Sequence, residues 1–353
     1  LETPGWSLPG FADTGWDSVR VLDLDKSRLT VEAGPPLRVI EHIKPRACSR
    51  LDNGRLLIDF GQNFAGFVHI AAVGEKGSRV VIRHAEELTN AAGKRAGHGA
   101  LDTHTNRLAL AADTFILKGE GIEEYQPHFT YHGFRYIEIT ECGAQVLPDS
   151  VTGCVVHTDY PFSGTFHCDH PVLNRIFLNA WWSIRSNSMS YPTDCPSRDE
   201  RTPCMMDVAA YEDLAAYCFD IQPYYKRWLR SICYEILQSS QKNFHPGWSG
   251  EVVSLPWMLY RMYGDFDILR ESYPAVQRYI RVCLQQSPDL HFSKGFGDWC
   301  RPNKTGEYED SFSLVKEVNI AMFYRQLKLA ARIAKLLGLE SDAQMYLEQA
   351  ERC

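Results

Sequence analysis

Carboxylates and arginines crowd into one short stretch near the middle of the chain. Residues 193–201 read Thr-Asp-Cys-Pro-Ser-Arg-Asp-Glu-Arg, and a further carboxylate, Asp207, follows closely. Pro196 has a fixed φ and pushes Cys195 toward an extended conformation, so the run begins as a loop. From about Met205 the apolar residues recur at helical spacing. The run predicts carboxylates presented where a loop enters a helix, a placement that suits acid–base chemistry on a neutral polar molecule such as a sugar.

The same run has a plainer interpretation. Mixed charges in a short polar segment are typical of a solvated loop, in which each exposed ion pair contributes about 0–1 kcal/mol. Asp207 could likewise serve the first turn of a helix, where the helix dipole favours negative charge. Asp199 is expected to be ion-paired and structural. The other motifs of the chain bear on the choice between these alternatives.

Length and composition describe a globular protein with more than one domain. The chain has 353 residues, of which 44% are apolar and 23% are charged. The formal net charge of −7 argues against nucleic acid or an anionic membrane as a partner, because both require a basic surface. No uncharged apolar stretch is long enough to predict a transmembrane helix.

The cysteines indicate a reducing environment. There are eleven of them, scattered along the chain without a Cys-x-x-Cys pair. An odd number of scattered thiols favours a cytoplasmic location over a secreted disulfide framework. The spacing matches no zinc-ligand pattern, so we predict no metal and no cofactor.

Residues 37–162 are predicted to form an antiparallel β-sandwich domain. Short β-branched or alternating segments are separated by glycine, asparagine and proline turns. The predicted strands are 37–40, 56–60, 66–70, 79–84 and 136–140. Strands without helices between them indicate a sandwich. Residues 102–112 lack a period and are expected to form a loop, while residues 1–36 resemble the tail of a preceding β-domain or a linker.

Residues 163–353 are predicted to be helical, because the apolar period there changes from about 2 to about 3.6. Pro171 is well placed in the first turn of a helix that runs to about Asn187. Further helices are predicted at about 205–219, 222–239, 251–263, 266–286 and 312–338, with a last one from 341. Helices joined by loops without intervening strands suggest a toroidal or bundled arrangement.

The charged run, taken in order with other motifs, resembles the signature of the α-L-rhamnosidases of glycoside hydrolase family 78. The other matching segments are 59–66, 129–136, 247–248, 255–257, 263–265 and 296–299. The resemblance covers nearly the whole chain and implies a multi-domain β + α fold, with an antiparallel β-sandwich followed by an incomplete (α/α)6 barrel. It also implies an inverting glycosidase that removes terminal α-L-rhamnose from glycosides or polysaccharides.

The resemblance assigns roles to individual residues. Glu200 matches the general acid that protonates the glycosidic oxygen. The residues matching substrate contacts are Asp194, Arg198 and Asp207 for the rhamnose hydroxyls and Trp248 and Trp299 for the aromatic walls. Neighbouring carboxylates favour the protonated form of Glu200, while Arg198 opposes it. Indole faces pack well on a 6-deoxy sugar, although either tryptophan could instead belong to the core.

Two positions depart from the family pattern. Cys204 stands where the family commonly has a tryptophan, so a related glycosidase with altered sugar specificity is an alternative reading. The aspartate that often follows the Gly-Trp pair is also replaced, and Glu251 could stand in for it.

The general base is expected beyond residue 353. In an inverting glycosidase this second carboxylate lies about 6.5–9.5 Å from the acid, and no residue of 163–353 matches the family's motif for it. Glu251, Asp298 or Glu307 could approach the acid, but no spacing requires it. We therefore expect a fragment of a longer enzyme, whose exposed half-barrel face could support oligomers. A non-catalytic carbohydrate-binding protein is the alternative from another functional class.

Overall fold

The structure is a computed structural model that describes residues 3, 5–27, 29, 31–88, 101–203, 205–238, 244–298 and 314–353. Contacts between Cα atoms divide the chain into two units. The first comprises Leu1–Ala33, Val39–Val156 and Pro196–Asp199, and the second comprises Gly34–Arg38, His157–Cys195 and Glu200–Cys353. None of the helices in the described ranges is long and apolar enough to cross a membrane.

Antiparallel strands dominate the chain up to residue 158. In the described ranges they are β1 (Leu37–Ile43), β2 (Ala47–Arg50), β3 (Leu56–Ala85), β4 (Glu87–Leu88), β5 (Leu101–Asp102), β6 (Ala112–Ile116), β7 (Ile122–Tyr125), β8 (His132–Val146) and β9 (Thr152–Thr158). Seven of these described strands form one sheet with the order β1-β9-β3-β2, and β6, β7 and β8 also pair with β3. Strands β4 and β5 pair separately.

Strand β3 curls around β8. It is 30 residues long, and its pairing with β8 changes register at three places. Asp59 near its start and Ala85 at its end both pair with Tyr136, so β8 lies between the two halves of β3. The separately predicted strands 56–60, 66–70 and 79–84 are therefore parts of one strand, and irregularities in the ladder replace the predicted turns.

An ion pair joins two of the sequence motifs within this sheet. Arg135 on β8 donates from Nε and Nη2 to the two carboxylate oxygens of Asp59, at 2.7 and 2.8 Å. These hydrogen bonds hold the pKa of Asp59 below its usual range, and the bidentate geometry makes the pair strong. The aspartate and arginine of the two motifs therefore serve the sheet.

Residues after 163 form helices. In the described ranges they are α1 (Pro171–Ser186), α2 (Met205–Ala209), α3 (Glu212–Cys218), α4 (Gln222–Gln238), α5 (Pro246–Ser249), α6 (Glu251–Tyr263), α7 (Phe266–Gln286), α8 (Val315–Leu336) and α9 (Glu340–Glu351). The predicted helix 205–219 divides between α2 and α3, because Tyr211 leaves the helical conformation at φ −132°. The apolar faces of α4, α6, α7 and α8 form one buried core.

The turn between α6 and α7 explains the motif at 263–265. Gly264 ends α6 in the left-handed conformation at φ +68°, where glycine carries no Cβ penalty. Asp265 then caps α7 by accepting a hydrogen bond from the Ile268 amide at 3.2 Å. Lys226 on α4 binds the other carboxylate oxygen of Asp265 at 2.7 Å. This motif fixes a helix–helix corner.

The paired tryptophans of α1 enclose an arginine. Arg185 is 1% exposed, and its guanidinium carbon lies 4.3 Å from the ring centre of Trp181 and 4.2 Å from that of Trp182. Its Nε donates to His157 Nε2 at 3.1 Å. Desolvated cation–π contacts of this kind stabilise a buried charge, so both indoles have a structural role.

Candidate functional site

Hydrogen bonds between Asp194 and Thr202 close the charged loop. The Thr202 backbone N–H donates to Asp194 Oδ1 at 2.9 Å, and the Asp194 N–H donates to the Thr202 carbonyl at 3.2 Å. Cys195 and Arg201, just inside this closure, have φ of +40° and +57°. The expectation of an extended Cys195 is therefore wrong: closing the loop imposes a left-handed backbone there, despite its cost outside glycine.

The carboxyl groups of Asp194 and Glu200 meet in this loop. A carboxylate oxygen of each and the thiol of Cys195 all lie within 4.8 Å of one another, so the three groups form a candidate set of metal ligands. Burial, and then the charge of Glu200, raise the pKa of Asp194, while the Thr202 amide opposes the rise. The raised pKa means that Asp194 keeps its proton to a higher pH than a free aspartate does. Glu200 beside it is exposed, so a ligand can reach it.

The segment Pro196–Asp199 belongs to the first unit and contains Arg198, which is half-buried. Gly133 on β8, in the same unit, lies against this segment. A Cβ atom added to Gly133 would come within 2.6 Å of the Ser197 nitrogen. The motif at 129–136 therefore includes a glycine because the backbone of the charged loop rests on it.

Asp207 and Trp248 lie on helices that pack together in the second unit. Asp207 is exposed in the first turn of α2, and α2 contacts both α5 and α6. Trp248 on α5 is half-buried, and its ring meets that of Phe296 edge-on with centroids 5.0 Å apart. The indole N–H is buried and has no hydrogen-bond partner among the described residues. The packing brings an exposed carboxylate and an aromatic pair to neighbouring helices.

Helices α3 and α6 carry a pair of buried acids. Glu212 on α3 and Glu251 on α6 are 4% and 2% exposed, and each carboxyl group shifts the pKa of the other. Ser254 Oγ also donates to Glu251 Oε1 at 2.8 Å. Burial raises the pKa of Glu251 to about 7 and raises that of Glu212 well above its ordinary value. This enclosure argues against Glu251 as a base that activates solvent water.

Three positions singled out from the sequence, Cys204, Trp299 and Glu307, lie outside the described residues. Asp298 is described and exposed. Glu212 was not among the residues predicted from the sequence, because it has the local pattern of an ordinary first-turn helix charge. Its partner Glu251 is on another helix, and no local signal predicts that the two meet.

A second group of candidate metal ligands lies in the first unit and consists of His84, Asp113 and His132. His132 Nε2 lies 3.0 Å from Asp113 Oδ1, and His84 Nδ1 lies 3.0 Å from the Ala111 carbonyl. The imidazole rings stack at 4.1 Å with planes 20° apart, so their in-plane lone pairs run side by side and do not converge. A ring would have to turn before both could bind one ion.

Comparisons with known proteins match α-L-rhamnosidases along most of the chain. A family model described as the bacterial alpha-L-rhamnosidase 6 hairpin glycosidase domain matches residues 161–353, and a model of the concanavalin-like domain of the same enzymes matches residues 49–157. The α-L-rhamnosidase of Streptomyces avermitilis is 34% identical over 98% of this chain and 33% of its own length. That of Alteromonas sp. (strain LOR) is 30% identical over 98% of this chain and 39% of its own length.

Solved structures give the same result. An α-L-rhamnosidase from Dictyoglumus thermophilum superposes with a TM-score of 0.88 at 35% identity, over 99% of this chain and 40% of that one. The Streptomyces avermitilis α-L-rhamnosidase complexed with L-rhamnose superposes with a TM-score of 0.86 at 34% identity, over 99% of this chain and 34% of that one. The chain spans about a third to two-fifths of these proteins. With a curled antiparallel sheet and a six-hairpin glycosidase domain, it belongs to the α-L-rhamnosidase family.

Proposed function

We propose that this chain supplies the acid side of an inverting α-L-rhamnosidase, which removes terminal α-L-rhamnose from glycosides or polysaccharides. The observation that carries the proposal is the contact between the carboxyl groups of Asp194 and Glu200 in the closed loop. A departing sugar oxygen needs a proton near neutral pH, and paired carboxyl groups retain one. The membership of the family, and a relative whose structure contains L-rhamnose, support rhamnose as the sugar.

Each site residue has a proposed task. Exposed Glu200 donates the proton to the glycosidic oxygen. Asp194, Arg198 and Asp207 hold the sugar hydroxyls, since charged partners form strong hydrogen bonds with them. Trp248 and Trp299 provide the aromatic walls, against which the apolar face and the methyl group of a 6-deoxy sugar pack.

The general base of the inverting reaction is assigned to no residue of 163–353. It must lie about 6.5–9.5 Å from the acid with a water between the two groups. Glu251 is enclosed with Glu212, which disfavours it for this task. Following the family resemblance, we place the base beyond residue 353.

The finer architecture belongs to the same proposal. It consists of the tail of a preceding β-domain or a linker at residues 1–36, a β-sandwich at 37–162 and the first part of an (α/α)6 barrel at 163–353. A cytoplasmic location is proposed because the cysteines of the described ranges form no disulfide, as expected in a reducing compartment.

A panel of aryl glycosides tests the activity of the complete gene product. We expect turnover of the α-L-rhamnoside, with β-L-rhamnose as the first-formed product by proton NMR, because inversion changes the anomeric configuration. Calorimetric rhamnose binding without hydrolysis would instead identify a carbohydrate-binding protein. Preferential hydrolysis of another glycoside would assign a different sugar, in line with the replacement at Cys204.

A further inference from the structure

Helix α8 carries two buried side-chain amides. Both bind backbone close to the aromatic pair formed by Trp248 and Phe296. Asn319 and Gln326 are 1% and 2% exposed. They lie seven residues apart, about two helical turns, and so share one face of the helix. Buried amides are costly unless their hydrogen bonds are satisfied, so their partners show what this face holds in place.

Asn319 binds two separate segments. Its Oδ1 accepts a hydrogen bond from the Gly247 amide at 2.8 Å. Its Nδ2 donates to the carbonyls of Phe292 and Lys294 at 3.3 and 3.0 Å. The first segment begins the short helix α5, and the second is irregular backbone leading to Phe296. A single amide therefore supplies hydrogen bonds that neither segment makes for itself.

The contact at Gly247 replaces a helix cap. The first N–H groups of a helix have no partner within it, and the capping position His245 provides no side-chain hydrogen bond to α5. Asn319, from a distant part of the chain, satisfies one of these groups. The position of α5 is thereby tied to α8.

Gln326 holds the same turn from two helical turns further along α8. Its Nε2 donates to the Pro246 carbonyl at 2.7 Å, and its Oε1 accepts from the Tyr279 hydroxyl at 2.8 Å. Gly250, at the end of α5, has no room for a side chain, because a Cβ atom there would lie 2.0 Å from Gln326 Nε2. Contacts with Asn319 and Gln326 therefore hold the backbone of α5 both before and after Trp248.

We propose that Asn319 and Gln326 are positioning residues that set the placement of Trp248 and Phe296, and through them the affinity of the site for its sugar. Trp248 and Phe296 touch edge-on with ring centres 5.0 Å apart. Their backbones belong to the two segments that Asn319 joins. The inference rests on the proposed function in one respect, namely that Trp248 is a wall of the sugar pocket.

The hydrogen-bond chemistry of Asn319 allows its two contacts to be separated. Asn319→Asp keeps an oxygen for the Gly247 amide but removes both donors, so the carbonyls of Phe292 and Lys294 lose their partner. Asn319→Leu removes both contacts at similar volume. In the complete gene product we expect KM for an aryl α-L-rhamnoside to rise about tenfold in Asn319→Asp and further in Asn319→Leu. The value of kcat should stay within about threefold of wild type in Asn319→Asp, because the acid is untouched.

Tyr273→Phe is the matched control for lost stability. Tyr273 is 5% exposed, and the change removes its hydrogen bond to Asp342 Oδ2 while leaving the partners of Asn319 and Gln326 unchanged. We expect it to lower the unfolding midpoint while KM stays unchanged. Rises in KM that are equal in Tyr273→Phe and Asn319→Asp would overturn the inference, because they would reflect general destabilisation.

A readout independent of activity separates this inference from the proposed function. Fluorotryptophan is incorporated, and the fluorine NMR signal of Trp248 is assigned by its loss in Trp248→Phe. The signal should shift in Asn319→Asp and stay in place in Tyr273→Phe. An unmoved signal in Asn319→Asp would refute the positioning role. A shifted signal with unchanged KM would instead remove Trp248 from the sugar pocket and leave the positioning role standing.

Discussion

Gly133 on β8 and Ser197 in the charged loop lie so close that only a hydrogen atom fits between their backbones. A Cβ atom at Gly133 would come within 2.6 Å of the Ser197 nitrogen and 3.0 Å of the Pro196 carbonyl carbon. Both neighbours are backbone atoms, and Ser197 is 4% exposed. The segment Pro196–Asp199 cannot rest where it does if position 133 carries a side chain.

Replacing this glycine should loosen the loop. Gly133→Ala is expected to destabilise the fold by about 1–3 kcal/mol, the usual cost of overpacking, and to lower rhamnoside turnover. Urea unfolding of the complete gene product measures the first effect, and steady-state kinetics measure the second. Gly15→Ala is the control, because no atom lies within 4 Å of its added Cβ. Equal stability of the two variants would contradict the close approach.

The contact between Asp194 and Glu200 predicts a change in pH dependence. Asp194→Asn keeps an oxygen for the Thr202 amide but removes a carboxyl group whose pKa is raised by burial and by the charge of Glu200. We expect the ionisation of that group to disappear from the kcat profile, which should shift by about one unit or more. Asp194→Ala also opens the loop closure and should lower kcat by about tenfold or more across the whole profile.

Asp199→Asn is the matched control for the loss of a nearby charge. Asp199 is adjacent to Glu200 in sequence and exposed, whereas the hydrogen bonds that close the loop at Thr202 are made by Asp194. Its profile should follow wild type. A shift of the same size in Asp199→Asn would show that the loss of any negative charge near Glu200 moves the pH profile of kcat. The contact with Asp194 would then not be the cause.

The buried pair Glu212 and Glu251 predicts a pH-dependent stability. Burial raises the pKa of Glu251 from 4.5 to about 7, so the folded state holds a proton that the unfolded chain releases. This contribution to stability is complete below about pH 4.5, declines as pH rises toward about 7, and is absent above that. Glu251→Gln cannot titrate, so its free energy of unfolding should fall less steeply over the same window.

Thermal unfolding of the complete gene product between pH 4.5 and 7 measures that difference. Glu235→Gln on α4 provides a control at an exposed glutamate and should keep the slope of the wild type. Parallel curves for wild type and Glu251→Gln would mean that position 251 does not hold a proton in the fold.

Helix positions were largely predictable from sequence, because strong apolar periods mark α4, α6 and α7. The break at Tyr211 was not predictable. No proline or glycine lies within residues 205–219 to mark it. The strands 56–60, 66–70 and 79–84 were recognised separately, but their union into β3 depends on pairing with β8.

At the candidate site, the resemblance indicated the residue types but not their connections. The closure between Asp194 and Thr202 reverses the extended backbone expected for Cys195 from the following proline, because tertiary hydrogen bonds outweigh a local preference. The hydrogen bond from the Gly247 amide to Asn319 joins positions far apart in the sequence, so no local pattern could predict it. Motif residues such as Asp59 and Asp265 proved to hold the fold together.

The turnover of Glu200→Gln tests the central claim most directly. Glutamine cannot donate a proton, so for an α-L-rhamnoside with a poor leaving group we expect kcat to fall by about 10²–10⁴-fold. A dinitrophenyl rhamnoside, whose leaving group departs without protonation, should lose far less, and rhamnose binding by calorimetry should be preserved. Wild-type turnover of the poor substrate by Glu200→Gln would contradict the assignment of Glu200 as the general acid.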